Sequence, residues 1–172
     1  MVLKTQLRCL RIWLSNISIF EITVLILSLL GVIGIQVIYG KRTYDDAFIT
    51  YRYARNISQG LGFVYNLDKH VLGTTTPLYT LLLVLVARLI GAYSIPKAAF
   101  IFGSIADALN VWLVYLISRS IFKNRLVAII VAMTFLLQPL RIDVASGGME
   151  TPLFLTFLLL MYKSYLMKLR FW

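Results

Sequence analysis

Two neighbouring carboxylates, Asp45 and Asp46, lie near the start of the most polar stretch, Lys41 to Lys69, of this 172-residue chain. They follow a long uncharged run and begin a segment with helical periodicity, which puts them at a helix N-terminus. Unsatisfied backbone N–H groups and the helix dipole stabilise anions there. Adjacent carboxylates also raise one another's pKa, so one is suited to take a proton while the other orients it or holds a cation. The same pair would serve equally as plain capping groups on a solvated loop. From the pair alone, base and cap both stand.

A second polar group, Arg141, Asp143, Ser146, Gly147, Gly148 and Glu150, lies between two apolar segments. Pro139 ends the helix before it, the glycines permit an irregular turn, and Thr151 and Pro152 can start the next helix. Arg141 has the planar fork that grips phosphate, and Glu150 can orient a hydroxyl. The plainer alternative is a membrane-edge turn whose charges reach to the headgroups. Asp107 stands mid-way along an apolar segment, where an ionisable group either pairs between helices or belongs to a site. Its helical neighbours Ser104 and Trp112 are weak partners. The threonines at 74 to 76 and Tyr79 line a pocket mouth or cap the following helix. His70 and Lys69 read as interfacial, as do Trp13, Tyr39, Tyr93 and Trp172. The glycosylation sequons at Asn16 and Asn56 are weak signals.

The elements that must position these groups are apolar. Of the chain, 60% is hydrophobic and 14% charged, against about 45–50% and 25% in soluble domains. Charge-free runs span Ile22 to Gly40, Val71 to Ala87, Leu126 to Leu140 and Thr151 to Tyr162, and Ala98 to Ser118 carries only Asp107. A bilayer core about 30 Å thick takes about 20 apolar residues per helix. The expected fold is therefore all-α, a polytopic helical membrane protein with four or five hydrophobic helices. A net charge of +10 is spread between the apolar runs, which fits headgroups and topology and excludes a nucleic-acid binder. A lone Cys9 allows no internal disulfide, and a lone His70 allows no multi-histidine metal site.

Lys4, Arg8 and Arg11 precede the first run. The positive-inside rule makes residues 1–16 a cytoplasmic tail, 17–39 the first span, 40–77 an extracytoplasmic loop, and 78–172 further hydrophobic helices. That first run is too long for a signal-peptide core and reads as an uncleaved anchor. Within the loop, Thr43 and Asp46 have capping-box spacing and Gly60 and Gly62 give a stop, so a helix is expected over 44–58. Ala47, Tyr51, Ala54 and Ile57 form one stripe on it, with Arg52 and Arg55 off the stripe. This amphipathic helix is expected on the outer membrane surface. The basic cluster Arg119, Lys123 and Arg125 sets the positive-inside rule against a count of spans. The two agree only if one of the segments 78–93 and 98–118 does not cross completely.

The blocks DDAFITYRYARNISQGLGFVYN, VLGTTTPLYTLLL and SGGMETPLFL, in that order, resemble the N-terminal part of integral-membrane glycosyltransferases of the GT-C fold. The nearest group is that of the arabinofuranosyltransferases and polyprenyl-phosphate-sugar mannosyltransferases, and the resemblance covers roughly residues 15–168. It implies a GT-C-like transmembrane module that takes a sugar from a polyprenyl-phosphate donor and passes it to an acceptor hydroxyl outside the cytoplasm. It implies that Asp45 is the base, with Asp46 its partner, and that Glu150 is a site residue on the same side. Arg52 and Arg141 are candidates, by their chemistry, for the donor phosphate. A lipid-linked donor needs no nucleotide-binding loop, and a divalent cation, Mg or Mn, is the candidate cofactor.

Members of that family are considerably longer. Residues 1–172 are therefore expected to be one module of a larger domain, with a second polypeptide as a candidate source of further helices. The expected location is the cell membrane, in contact with the lipid bilayer. Two other classes share parts of the pattern: a non-catalytic membrane subunit that keeps the fold, and a small transporter, in which Asp107 rather than Asp45 and Asp46 would be essential.

Overall fold

The computed structural model describes residues 18–40, 44–67, 71 and 73–169, with side chains to residue 167. Every regular element among them is helical, in seven helices and one 3₁₀ turn: α1 (Ile19–Tyr39), α2 (Asp45–Ser58), α3 (Pro77–Ile90), the turn Ala92–Ser94, α4 (Ile95–Phe122), α5 (Arg125–Leu136), α6 (Pro139–Ser146) and α7 (Thr151–Leu169). The helix α1 opens with a capping box, in which the Ser18 hydroxyl accepts from the Glu21 N–H and the Glu21 carboxylate accepts from the Ser18 N–H. The helix α2 starts at Asp45 on Tyr44, with no side-chain cap. The capping role expected of Thr43 lies outside the described residues.

The long helix α4 packs against each of the other six helices. Two cores form along it. In the first, Val111, Leu113, Tyr115 and Leu116 of α4 meet Val32 of α1 and Ala128, Ala132 and Leu136 of α5. In the second, Ile95 and Ala99 at the start of α4 meet Ala47, Tyr51 and Ala54 of α2 and Tyr79, Leu83, Val84 and Ala87 of α3. Buried polar groups lock α4 to α7: the Asn110 amide donates to the Pro152 carbonyl (2.9 Å) and the Thr156 hydroxyl donates to Asn110 Oδ1 (2.8 Å). Each such bond is worth about 1 kcal/mol net, and leaving either partner unpaired costs more.

The two ends of the bundle differ. At one end the Trp112 indole donates to the Glu21 carbonyl (2.9 Å), Arg119 pairs with the Glu21 carboxylate (3.4 Å), and Arg125 lies over the Phe20 ring. The basic cluster therefore sits beside the start of α1. At the other end Ser104 donates to Gln36 Oε1 (2.7 Å), and α2, α3 and the end of α6 gather around the start of α4. The helix α3 stays at this second end and does not run along the bundle. Its 14 residues measure about 21 Å at 1.5 Å per residue. One face is buried on α2, while Leu78, Leu81, Leu85 and Leu89 point outward.

Among the described residues, two helical stretches are long and apolar enough to cross a membrane, Ile19–Tyr39 and Ala92–Phe122. The pair α5 and α6, bent by 59°, makes a third if it counts as one span. Pro139 explains the bend, because it opens α6 without an N–H to continue the ladder of α5. The Arg141 guanidinium donates to the Leu136 carbonyl at 2.5 Å, which satisfies an end group that the break leaves open.

Candidate functional site

The first turn of α2 carries Asp45 and Asp46, both exposed. The Tyr44 N–H just before it donates to the Gly147 carbonyl (3.4 Å), which ties the start of α2 to the turn after α6. That turn is shaped by tyrosines. Gly148 has φ +73°, a left-handed conformation that L side chains avoid. A Cβ on Gly148 would collide with the Tyr51 hydroxyl, and one on Gly147 with the Tyr44 ring. The hydroxyls of Tyr51 (3.0 Å) and Tyr79 (3.2 Å) both donate to the Gly148 carbonyl, occupying its two lone pairs. Burial pushes the Tyr51 phenol up to about 12, so it remains a donor at every physiological pH.

Between the first turns of α2 and α3 and the Gly148–Glu150 segment lies a cavity of about 250 Å³. Its walls include Asp46, Thr50, Thr74, Thr76, Tyr79 and Glu150. The threonine hydroxyls form a chain, with Thr50 and Thr74 at 3.5 Å and Thr74 and Thr80 at 3.4 Å. The wall thus combines two acidic side chains with a row of hydroxyls, a surface suited to orienting hydroxyl-rich ligands and accepting a proton. Asp46 and Glu150 are also oxygen donors of the kind Mg or Mn takes. Among the described residues no group of three or more His, Cys, Asp or Glu gathers as a metal centre.

The structure brings Asp46, Glu150, the threonines at 74 to 76 and Tyr79 to one wall, from three separated stretches of chain. Asp45 is not among the wall residues; about 100° of helix per residue turns it away from its neighbour. Arg52 also stands apart. Its guanidinium lies 4.4 Å over the Tyr65 ring and donates to Asn66 Oδ1 at 3.0 Å. Arg141, expected at a phosphate, is buried in an ion pair with Asp107 and lies 5.9 Å from the Phe135 ring centre. Its charge neutralises Asp107, for which Ser104 and Trp112 had been the only sequence neighbours. His70 and Lys69 lie outside the described residues. The Asn56 amide is engaged by the Val64 (2.7 Å) and Tyr65 (3.2 Å) carbonyls.

Sequence reasoning missed the Tyr51 and Tyr79 bonds to Gly148. A signal was present: Tyr51 is the one residue of the Ala47, Tyr51, Ala54 and Ile57 stripe with a polar tip, and a buried phenol needs a partner. Asp107 and Arg141 were open to the same logic, since a carboxylate inside an apolar helix calls for a cation from a neighbouring one. Compared with known proteins, the chain matches no family model, no curated protein and no solved structure.

Proposed function

We propose that this chain is the site-bearing part of a membrane glycosyltransferase, which passes a sugar from a polyprenyl-phosphate donor to an acceptor hydroxyl on the extracytoplasmic side. One observation carries the reading. The three sequence blocks that resemble GT-C enzymes lie far apart in the chain, yet each supplies wall residues to a single cavity: Asp46 and Thr50 from the first, Thr74, Thr76 and Tyr79 from the second, Gly148 and Glu150 from the third.

The reaction is a single displacement. The acceptor oxygen attacks the anomeric carbon and forms the new glycosidic bond. The bond from that carbon to the phosphate oxygen breaks, its electron pair leaves with the lipid phosphate, and the acceptor proton passes to a carboxylate. Attack opposite the leaving group inverts the anomeric centre. Asp46, as a wall residue at a helix N-terminus, is the base in this scheme, and Asp45 beside it supplies charge without contact. Glu150 and the threonines orient hydroxyls. Neither arginine expected at the phosphate is among the residues of this wall: Arg52 is held by Tyr65 and Asn66, and Arg141 is engaged by Asp107.

The bundle crosses the membrane by α1, α4, the bent pair α5 and α6, and α7, while α3 lies in the interface with its leucine face on lipid. Then the N-terminus and the cluster Arg119, Lys123 and Arg125 are cytoplasmic, as the positive-inside rule asks, and the cavity opens outside the cell membrane. Further helices for the lipid tail would come from a second polypeptide or from more chain.

The test uses membranes containing the full chain and a radiolabelled polyprenyl-phosphate sugar. Wild type transfers label to a glycoside acceptor, and Asp46→Asn lowers kcat by roughly 10²- to 10⁴-fold, the usual contribution of a general base. Asp45→Asn lowers it less. Full activity in Asp46→Asn would overturn the assignment of the base, and no lipid-dependent transfer by wild type would overturn the function.

A further inference from the structure

A second cavity, of about 340 Å³, adjoins the first. Ile49 and Gly73 line both. The second is otherwise walled by Tyr53, Tyr65, Asn66 and Val71. Asp46, Ile49 and Tyr53 are spaced by three and four residues along α2, so one helix face runs from the carboxylate into the aromatic cavity. Volumes of this order suit one small ring-sized ligand.

We infer that this second cavity is the acceptor subsite and holds a sugar ring whose reacting hydroxyl reaches across Ile49 and Gly73 to Asp46. The inference rests on the glycosyltransferase reading. The wall chemistry supports a sugar. The ring a ligand reaches is the partly exposed Tyr65; fully buried Tyr53 floors the cavity behind it, its hydroxyl donating to the Val71 carbonyl (2.5 Å) and accepting from the Gly73 N–H (2.8 Å). The Tyr53 ring packs against Phe63 and Tyr65 at centroid distances of 5.1 and 5.9 Å. Asn66 has its oxygen on Arg52, which leaves the amide N–H groups for a ligand. An apolar aromatic face beside an amide donor matches a sugar ring, with its C–H face and its rim of hydroxyls. Among the described residues, none of the wall residues is acidic.

The placement separates acceptor from donor. The first cavity is bounded by the opening turn of α3, next to the outward face of Leu78, Leu81 and Leu85, where a lipid-borne donor would arrive. Among the described residues, the second is bounded by α2 and the loop residues after it, and by none of α3. It is thus set off from the leucine face of α3, as a water-borne acceptor requires.

The experiment measures transfer from radiolabelled polyprenyl-phosphate sugars to a panel of octyl hexosides and pentosides, with the full chain in membranes. Tyr65→Ala and Asn66→Ala should raise the acceptor KM at least about tenfold, the order expected for one lost ring face or one lost hydrogen bond. Donor KM and kcat at saturating acceptor should stay unchanged, and Tyr65→Phe should keep the wild-type acceptor KM. A rise in donor KM in place of acceptor KM, or no change in either, overturns the subsite and leaves the glycosyltransferase reading intact. A second measurement needs no turnover: Val71→Cys in a Cys9→Ser background, labelled with a thiol reagent, should be protected by the octyl glycosides. Protection without transfer by wild type would refute the enzyme and keep a glycan site; neither protection nor transfer would refute both.

Discussion

Replacing Gly148 with alanine tests how the cavity wall is held. Two separate penalties arise. The backbone at φ +73° is left-handed, and an L residue there costs roughly 1–2 kcal/mol. The new methyl would also collide with the Tyr51 hydroxyl, which must move and lose its bond to the Gly148 carbonyl, a further cost of about 1 kcal/mol. The second penalty is conditional on the hydroxyl, because the next nearest Tyr51 atom, Cζ, would be 3.3 Å from the methyl. In a Tyr51→Phe background Gly148→Ala should therefore cost only the backbone term. The four proteins of the cycle, purified in detergent, would be unfolded in mixed micelles and followed by tryptophan fluorescence. Wild-type background should show a cost of about 2–3 kcal/mol and the Phe background about 1–2, a coupling near 1 kcal/mol. Additive costs, within about 0.5 kcal/mol, would refute the claim that the phenol and the glycine are fitted to one another.

Asp107→Ala should destabilise the bundle by about 3–5 kcal/mol, because it leaves the Arg141 charge buried and unpaired; the double variant Asp107→Leu with Arg141→Met should regain much of it in the same unfolding assay. Raising the pH should weaken the fold between about 10 and 12 through Tyr51. Its folded pKa, pushed up to about 12, exceeds the ordinary 10.0, so its stabilisation is complete below pH 10 and is lost as pH rises through 12; tyrosinate absorbance in wild type against Tyr51→Phe checks this. In intact cells, Ser58→Cys should react with an impermeant thiol reagent and Lys123→Cys should be protected, both in a Cys9→Ser background. The reverse pattern would invert the proposed orientation.

Helix α2 was legible because its 3.6-residue period is strong: the expected 44–58 became Asp45–Ser58, and the stripe of Ala47, Tyr51 and Ala54 is buried. Glu150 was placed with Asp45 only by what the resemblance implies; the acid that shares its cavity wall is Asp46, and no spacing in the sequence links them. Which of the two neighbouring aspartates faces the cavity was not legible, since adjacent residues on a helix differ only in direction. The apolar run Val71 to Ala87 left open whether its helix, expected from residue 78 and found at Pro77–Ile90, crosses, because hydropathy does not see that α2 covers one of its faces. Arg141 read as a phosphate grip because its partner Asp107 is 34 positions away, and no local pattern links them.

The shortness of α3 has a consequence for how such a chain is made. An insertion machinery judges each hydrophobic segment as it emerges, before any cavity exists to hold it. Were α3 accepted as a crossing, every segment from Ala92 onward would be threaded in the opposite sense, and Glu150 would finish across the bilayer from Asp46. On the proposed topology the cavity thus depends on a rejection: two or three more turns of leucine before Gly91 would leave each side chain intact and still divide the site between two compartments.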